Sequence, residues 1–186
     1  MKTPETDAPQ AERPTPNAIG PGIIESCGDF NIRIARDGTW YYRNSPIRRL
    51  PLVKLFATVL RREADGSYWL VTPAERGRIE VEDAPFVAVE LEAEGQDRDQ
   101  SLTFRTNLDD KVVVGENHPL RVATAPGTDE PRPYVLVRPG LEALLLRPVF
   151  YHLIERGEEA TVDGTSRFGV WSNGKFFPLD NSTDAI

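Results

Sequence analysis

The stretch Asp29-Phe30-Asn31-Ile32-Arg33-Ile34-Ala35-Arg36-Asp37-Gly38-Thr39-Trp40-Tyr41-Tyr42 decides the fold class. Phe30, Ile32 and Ile34 alternate with Asn31, Arg33 and Ala35, the period-2 pattern of a strand with one face on a core. Asp37-Gly38 supplies the left-handed tolerance of a tight hairpin, and Thr39 to Tyr42 form the returning strand. Asn44-Ser45-Pro46 punctuates the chain. Leu52, Leu55, Phe56, Val59 and Leu60 then recur at helical spacing, with Pro51 tolerated in the first turn. Asp65-Gly66 closes that unit, and Tyr68 to Val71 begin another strand.

Working outward, strands are expected at 78–82, 86–92, 101–106, 111–114, 120–124 and 133–138. Val87, Val89 and Leu91 alternate with Ala88, Glu90 and Glu92, which predicts one buried and one wet face. Glu94 to Gln100 read as an exposed loop. A second helix is expected over Pro148–Arg156, stopped by Gly157. Phe168, Val170 and Trp171 meet Phe176, Phe177 and Leu179 across Ser172-Asn173-Gly174, the strongest hairpin signal present. Trp40, Trp69 and Trp171 are assigned to core packing.

Composition bounds the rest. In 186 residues, 39% are hydrophobic and 27% charged, which is globular usage and far from a disordered chain. The net charge of −7 argues against a general nucleic-acid binder. No apolar run approaches the roughly 20 residues of a membrane span, and no secretory signal follows Met1, so no membrane role and a cytoplasmic location are expected. One cysteine, Cys27, makes no internal disulfide, and two histidines do not furnish an ordinary histidine-rich metal site. No metal and no cofactor are expected. Residues 1–22 carry Pro4, Pro9, Pro14, Pro16 and Pro21 but few large apolar groups, which predicts a disordered leader. A frayed tail is expected over 180–186.

The chain repeats itself at low identity. Ile34-Ala35-Arg36-Asp37-Gly38 lies beside Leu136-Val137-Arg138-Pro139-Gly140, and Pro51-Leu52-Val53 beside Pro148-Val149-Phe150. In both copies an apolar strand ends in Arg-x-Gly, and a second run and a proline-started helix follow. Each helix closes near a basic residue, Arg61 or Arg62 in one and Arg156 in the other, and a tryptophan-bearing strand comes next. Two β-rich subdomains, 23–82 and 83–179, with a seam between them are expected, and seams favour ligand sites.

Several segments together resemble one family: Asp29 to Trp40, Ser45-Pro46-Ile47, Asp83 to Val89, Phe104-Arg105-Thr106-Asn107, His118-Pro119-Leu120-Arg121, Arg147 to Tyr151, and Gly169-Val170-Trp171-Ser172. It is an uncharacterised family of bacterial proteins classed only as a domain of unknown function. The resemblance implies a compact α+β, β-rich fold of two repeated subdomains. Each would be distantly like a pleckstrin-homology half-barrel with a short helix. It also implies a suggested role in ligand-linked signal transduction, and carries no catalytic residues.

No phosphate loop, nucleophile elbow or zinc helix is present. Asp29 to Arg62 hold eight basic residues against two acids, and Glu75 to Asp99 nine acids against three basic residues. That asymmetry serves docking of one half on the other, or marks solvated strand faces, or builds an anion pocket at the seam. Guanidinium forks suit a carboxylate or phosphate. The pocket residues proposed from sequence are Arg36, Arg49 (or Arg48), Tyr134, Arg138, Arg147 and Tyr151, with Tyr41 as a further donor. The expected function is a non-enzymatic small-ligand-binding or regulatory protein recognising an anionic ligand. Two rivals stand beside it: a hydrolase-like enzyme using His118 with Asp109 or Asp110, and a protein–protein adaptor.

Overall fold

The segment that alternates in sequence alternates in space. Ile32 and Ile34 are buried and Arg33 between them is not, so β1 (Ser26–Ile34) shows one face to a core and one to water. The Asp37 carboxylate accepts from the Thr39 N–H at 2.9 Å in the turn. β2 (Trp40–Tyr42) then returns antiparallel, with Trp40 opposite Ile34. The structure is a computed structural model describing residues 26–125, 127–162 and 164–180. The expected leader over 1–22, residues 181–186, and the side chains of Ser26 and Cys27 lie outside the described residues.

Arg43 (φ 46°) and Asn44 (φ 66°) are both left-handed, the backbone of a type I′ turn into β3 (Ser45–Pro46). In α1 (Leu50–Thr58), Val53 and Ala57 lie four apart and are buried, with Leu52 and Phe56 half-buried beside them. The helical spacing in the sequence runs on to Leu60. The helix stops at Thr58 because β-branched Thr58 and Val59 disfavour its continuation, and because Leu60, fully buried, starts β4 (Leu60–Arg62). β5 (Tyr68–Val71) and β6 (Arg76–Val81) follow antiparallel, and β6 returns to lie parallel beside β1. The sheet order is β3-β2-β1-β6-β5-β4.

The second half repeats this plan with an insertion. β7 (Phe86–Glu94) and β8 (Ser101–Thr106) are joined through a single 3₁₀ turn at Asp97–Asp99 that ends on buried Gln100. β9 (Lys111–Val113), β10 (Leu120–Thr124), β11 (Pro131–Arg138) and β12 (Leu141–Leu145) complete a sheet ordered β10-β11-β12-β7-β8-β9, with β12 and β7 parallel. α2 (Arg147–Ile154) buries Val149, Phe150 and Leu153. β13 (Glu158–Val162), β14 (Thr165–Ser172) and β15 (Lys175–Pro178) form a last antiparallel sheet.

The repeat is visible in element order: β1, β2, α1, β4, β5, β6 against β11, β12, α2, β13, β14, β15. In the first copy the last strand pairs with the first. In the second, β10 takes that place beside β11, and β15 comes alongside β10 instead. The fold is therefore α+β and β-rich, two curled half-barrel subdomains in a repeated arrangement, each with one short helix. One core runs through both, joining Ile34 and Trp40 to Phe86, Val135 and Leu153. Trp40 is fully buried and stacks on Phe56 at 6.3 Å. Trp69 and Trp171 occupy equivalent middle strands, but they are half-buried under Arg76 and Arg98 rather than within the core.

Named contacts close the seam. The Asn107 side-chain amide donates to the Gly38 carbonyl at 3.2 Å, while its oxygen accepts from the Val87 N–H. Lys54 of α1 reaches Asp109 at 2.7 Å. At the far end, the buried Ser172 hydroxyl accepts from the Leu102 N–H and donates to the Val114 carbonyl at 2.8 Å, fixing the last hairpin to β8 and the end of β9.

Gly38 combines a φ of +82° with a backbone so close that a Cβ would stand 2.7 Å from the Asn107 amide nitrogen and 3.1 Å from a Val87 methyl. Gly38→Ala should cost about 2–4 kcal/mol, the left-handed penalty plus overpacking. Gly174→Ala, with φ +72° and open space around it, should cost only about 1–2 kcal/mol. Urea midpoints measured for both variants check the order.

Candidate functional site

Asp83 lies on the connection between the two subdomains, and its side chain is 7% exposed. A carboxylate withdrawn from water is costly unless matched. Here Arg132 of β11 forms an ion pair with one oxygen, the Tyr134 hydroxyl donates to the other at 2.7 Å, and the Arg36 guanidinium stands 3.7 Å away. Burial, then the hydrogen bond to Asp83, pushes the Tyr134 phenol up to about 12. Arg121 covers the tyrosine ring at 4.3 Å and is itself held by a two-pronged contact with Glu142.

Above this cluster opens a cleft of about 470 Å³ between the subdomains, within the usual size of a small-molecule site. The first half contributes Arg36 and Asp37; the second contributes Glu130, Arg132, Arg147 and Phe150. Arg147 opens α2, whose first turn has no side-chain cap and no acid. The cleft therefore also faces the positive end of a helix dipole. Each arginine already meets a carboxylate: Arg147 pairs with Glu130, Arg132 with Asp83, and Arg36 stands near Asp83.

Of the residues proposed from sequence, Arg36 and Arg147 line this cleft, and Tyr134 lies one contact away through Asp83. Arg138 is elsewhere, donating to the Ala57 carbonyl at 2.9 Å with its guanidinium over Phe86. Arg49 is exposed ahead of α1, Tyr151 is exposed on α2, and Tyr41 lies under Arg33 at 4.4 Å. Sequence reasoning missed Arg132, Asp83 and Glu130. The alternation of Pro131-Arg132-Pro133-Tyr134 along a strand was the one available signal.

The acid–base set does not assemble. The ring of His118 is bonded through Nδ1 to the Leu136 carbonyl at 2.9 Å. Asp109 is claimed by Lys54 and Arg105, which hold its carboxyl below the usual carboxylate range. No carboxylate lies within ion-pairing distance of His118 among the described residues. Nor do three potential metal-binding side chains gather among them. No helix of the described residues is long and apolar enough to cross a membrane.

A second cavity of about 530 Å³ lies within the first subdomain, between α1 and its sheet. Its walls are Ile32, Leu52, Phe56, Val59 and Leu70, all read from sequence as plain core.

Folding raises the Tyr134 pKa above its ordinary value of 10.0, so the native state favours the neutral phenol. That stabilisation is full below about pH 10 and is lost as pH rises towards about 12. Alkaline difference spectroscopy should show a tyrosinate step near 12 that Tyr134→Phe removes, beside that of Tyr68, which burial also raises. A titration unchanged in the variant would refute the assignment.

Two family models match the chain: "Domain of unknown function (DUF1285), N-terminal domain" over residues 24–84 and "Protein of unknown function (DUF1285), C-terminal domain" over residues 85–179. A crystal structure of a DUF1285 family protein from Silicibacter pomeroyi DSS-3 is 52% identical, covers 84% of this chain and 83% of its own, and superposes with a TM-score of 0.77. Another, from Shewanella baltica OS155, is 25% identical, covers 67% of this chain and 91% of its own, with a TM-score of 0.52. No curated protein matches. With both models matched in order, and a relative identical at half its positions, the chain belongs to the DUF1285 family.

Proposed function

We propose that this protein is a non-enzymatic, small-ligand-binding regulator that takes an anionic ligand in the cleft between its subdomains. The observation that carries the reading is the meeting of guanidinium groups from both halves, Arg36 on one side and Arg132 and Arg147 on the other, around one cavity. A carboxylate or phosphate suits the Arg147 fork bidentately, and the uncapped start of α2 adds backbone N–H donors. Glu130 occupies Arg147 as an internal stand-in for that anion. Both partners are largely exposed, so water screens the pair and exchange costs little. Phe150 and the neighbouring Leu144 to Leu146 offer an apolar wall for the rest of the molecule. A ligand touching both halves favours whichever relative arrangement completes its contacts, which is the physical basis of a regulatory role.

Calorimetric titration with a panel of carboxylates and phosphorylated metabolites, each beside its neutral analogue, tests this. At least one anion should bind. Arg147→Ala should weaken it about tenfold or more, the loss of a charge-assisted contact. Glu130→Gln should tighten it by freeing the guanidinium. Affinity indifferent to both substitutions, or no anion bound at all, would overturn the proposal.

A further inference from the structure

The apolar cavity of the first subdomain differs from the cleft in one respect that gives it chemistry of its own: its cation is unmatched. Arg43 lines the cavity, and its guanidinium contacts only the face of the Tyr42 ring, at 5.2 Å; no carboxylate pairs with it among the described residues. Arg48 and Arg49, between the cavity residues Ile47 and Leu52, are exposed and equally without a carboxylate partner. Arg33 and Arg36, by contrast, are engaged by Glu82 and Asp83 respectively. Two acids also reach the cavity. The Asp29 carboxylate accepts from the Asn31 N–H at 2.6 Å. Glu75 enters from the loop between β5 and β6, across β1 from the Arg43 turn. Asp29 sits on β1 beside the Arg43 turn with its carboxylate taken by the Asn31 N–H, so the excess of positive charge where β3 hands over to α1 comes from Arg43, Arg48 and Arg49 together.

α1 extends the apolar surface outward. Its one charged side chain, Lys54, is tied to Asp109, while Leu50 and Leu55 are 43% and 60% exposed and Tyr42 is 45% exposed. A surface helix ordinarily turns a polar face to water. This one is apolar on both sides, and the cavity behind it has the volume of a small-molecule site, roughly 300–1,000 Å³.

We infer that this cavity binds an anionic amphiphile, a monomeric medium-chain carboxylate whose alkyl chain lies among Ile32, Leu52, Phe56, Val59 and Leu70 and whose carboxylate is held at Arg43. The site is separate from the cleft and stands or falls independently of it. The apolar chain gains from leaving water, and the carboxylate satisfies a fork that no protein acid occupies.

Isothermal titration of the full chain with decanoate and with decanol tests the inference. The wild type should bind both, decanoate more tightly. Arg43→Asn keeps the left-handed turn, since asparagine tolerates that backbone, and should weaken decanoate about tenfold or more while leaving decanol unchanged. Leu52→Phe fills the cavity and should weaken both ligands. If that variant does not fold, the decanoate–decanol contrast in Arg43→Asn carries the test alone. Arg147→Ala, in the cleft, should leave decanoate binding as it is. No decanoate binding, or decanoate affinity unchanged by Arg43→Asn, overturns the inference. So does binding to vesicles of anionic phospholipid without binding of monomeric decanoate, which would assign the patch to a membrane surface.

Discussion

A carboxylate buried at the junction governs how the two halves meet. Asp83 cannot stay charged out of water without donors, and the donors it finds belong to β11 of the second half, Arg132 and Tyr134. Removing either partner would leave one of its oxygens short of a donor, so the second sheet is held at the end of the first. The Asp37-Gly38 turn docks beside it on Asn107 and Val87, and the cleft is the space left above these contacts. Its position thus follows from this charged contact together with the close approach of the Gly38 turn.

Reciprocity between the halves extends to the helices. α1 has no basic residue in its last turn. The cation at its C-terminal carbonyls comes partly from Arg61, just beyond it, and partly from Arg138, which crosses from the second half to the Ala57 carbonyl. The sequence pairs Arg36 with Arg138 as repeat equivalents, yet one lines an open cleft and the other is half-buried against a helix end. The repeat keeps its element order while its side chains differ in use.

The alternating strands could be read directly, because a half-buried strand writes its period into the residue types. β7 shows where that fails. Val87, Val89 and Leu91 were expected inside with Ala88 outside, but Phe86, Val87 and Ala88 are all buried. The Gly38 turn covers the Val87 side, and no local pattern announces a cover arriving from 49 residues upstream. The short strands β3, β4 and β13 were missed for a related reason: with two to five residues each, they carry too little periodicity. At the site, composition revealed the arginines but not their partners. Asp83 and Arg132 are separated by 49 positions, and pairing at that range is a property of topology. The apolar cavity was invisible because residues that line a void look the same in sequence as residues that fill a core.

The Ser172 hydroxyl, wedged between the Leu102 N–H and the Val114 carbonyl, bears on how a ribosome delivers this chain. The first sheet has all its strands once Val81 has emerged. The second has its strands by Leu145, but two backbone groups at its β8–β9 edge still wait for a side chain made some sixty to seventy residues after them. Translation therefore releases a first sheet complete in its strands but still lacking the second half's share of the common core, and the last hairpin locks the second subdomain only as synthesis ends.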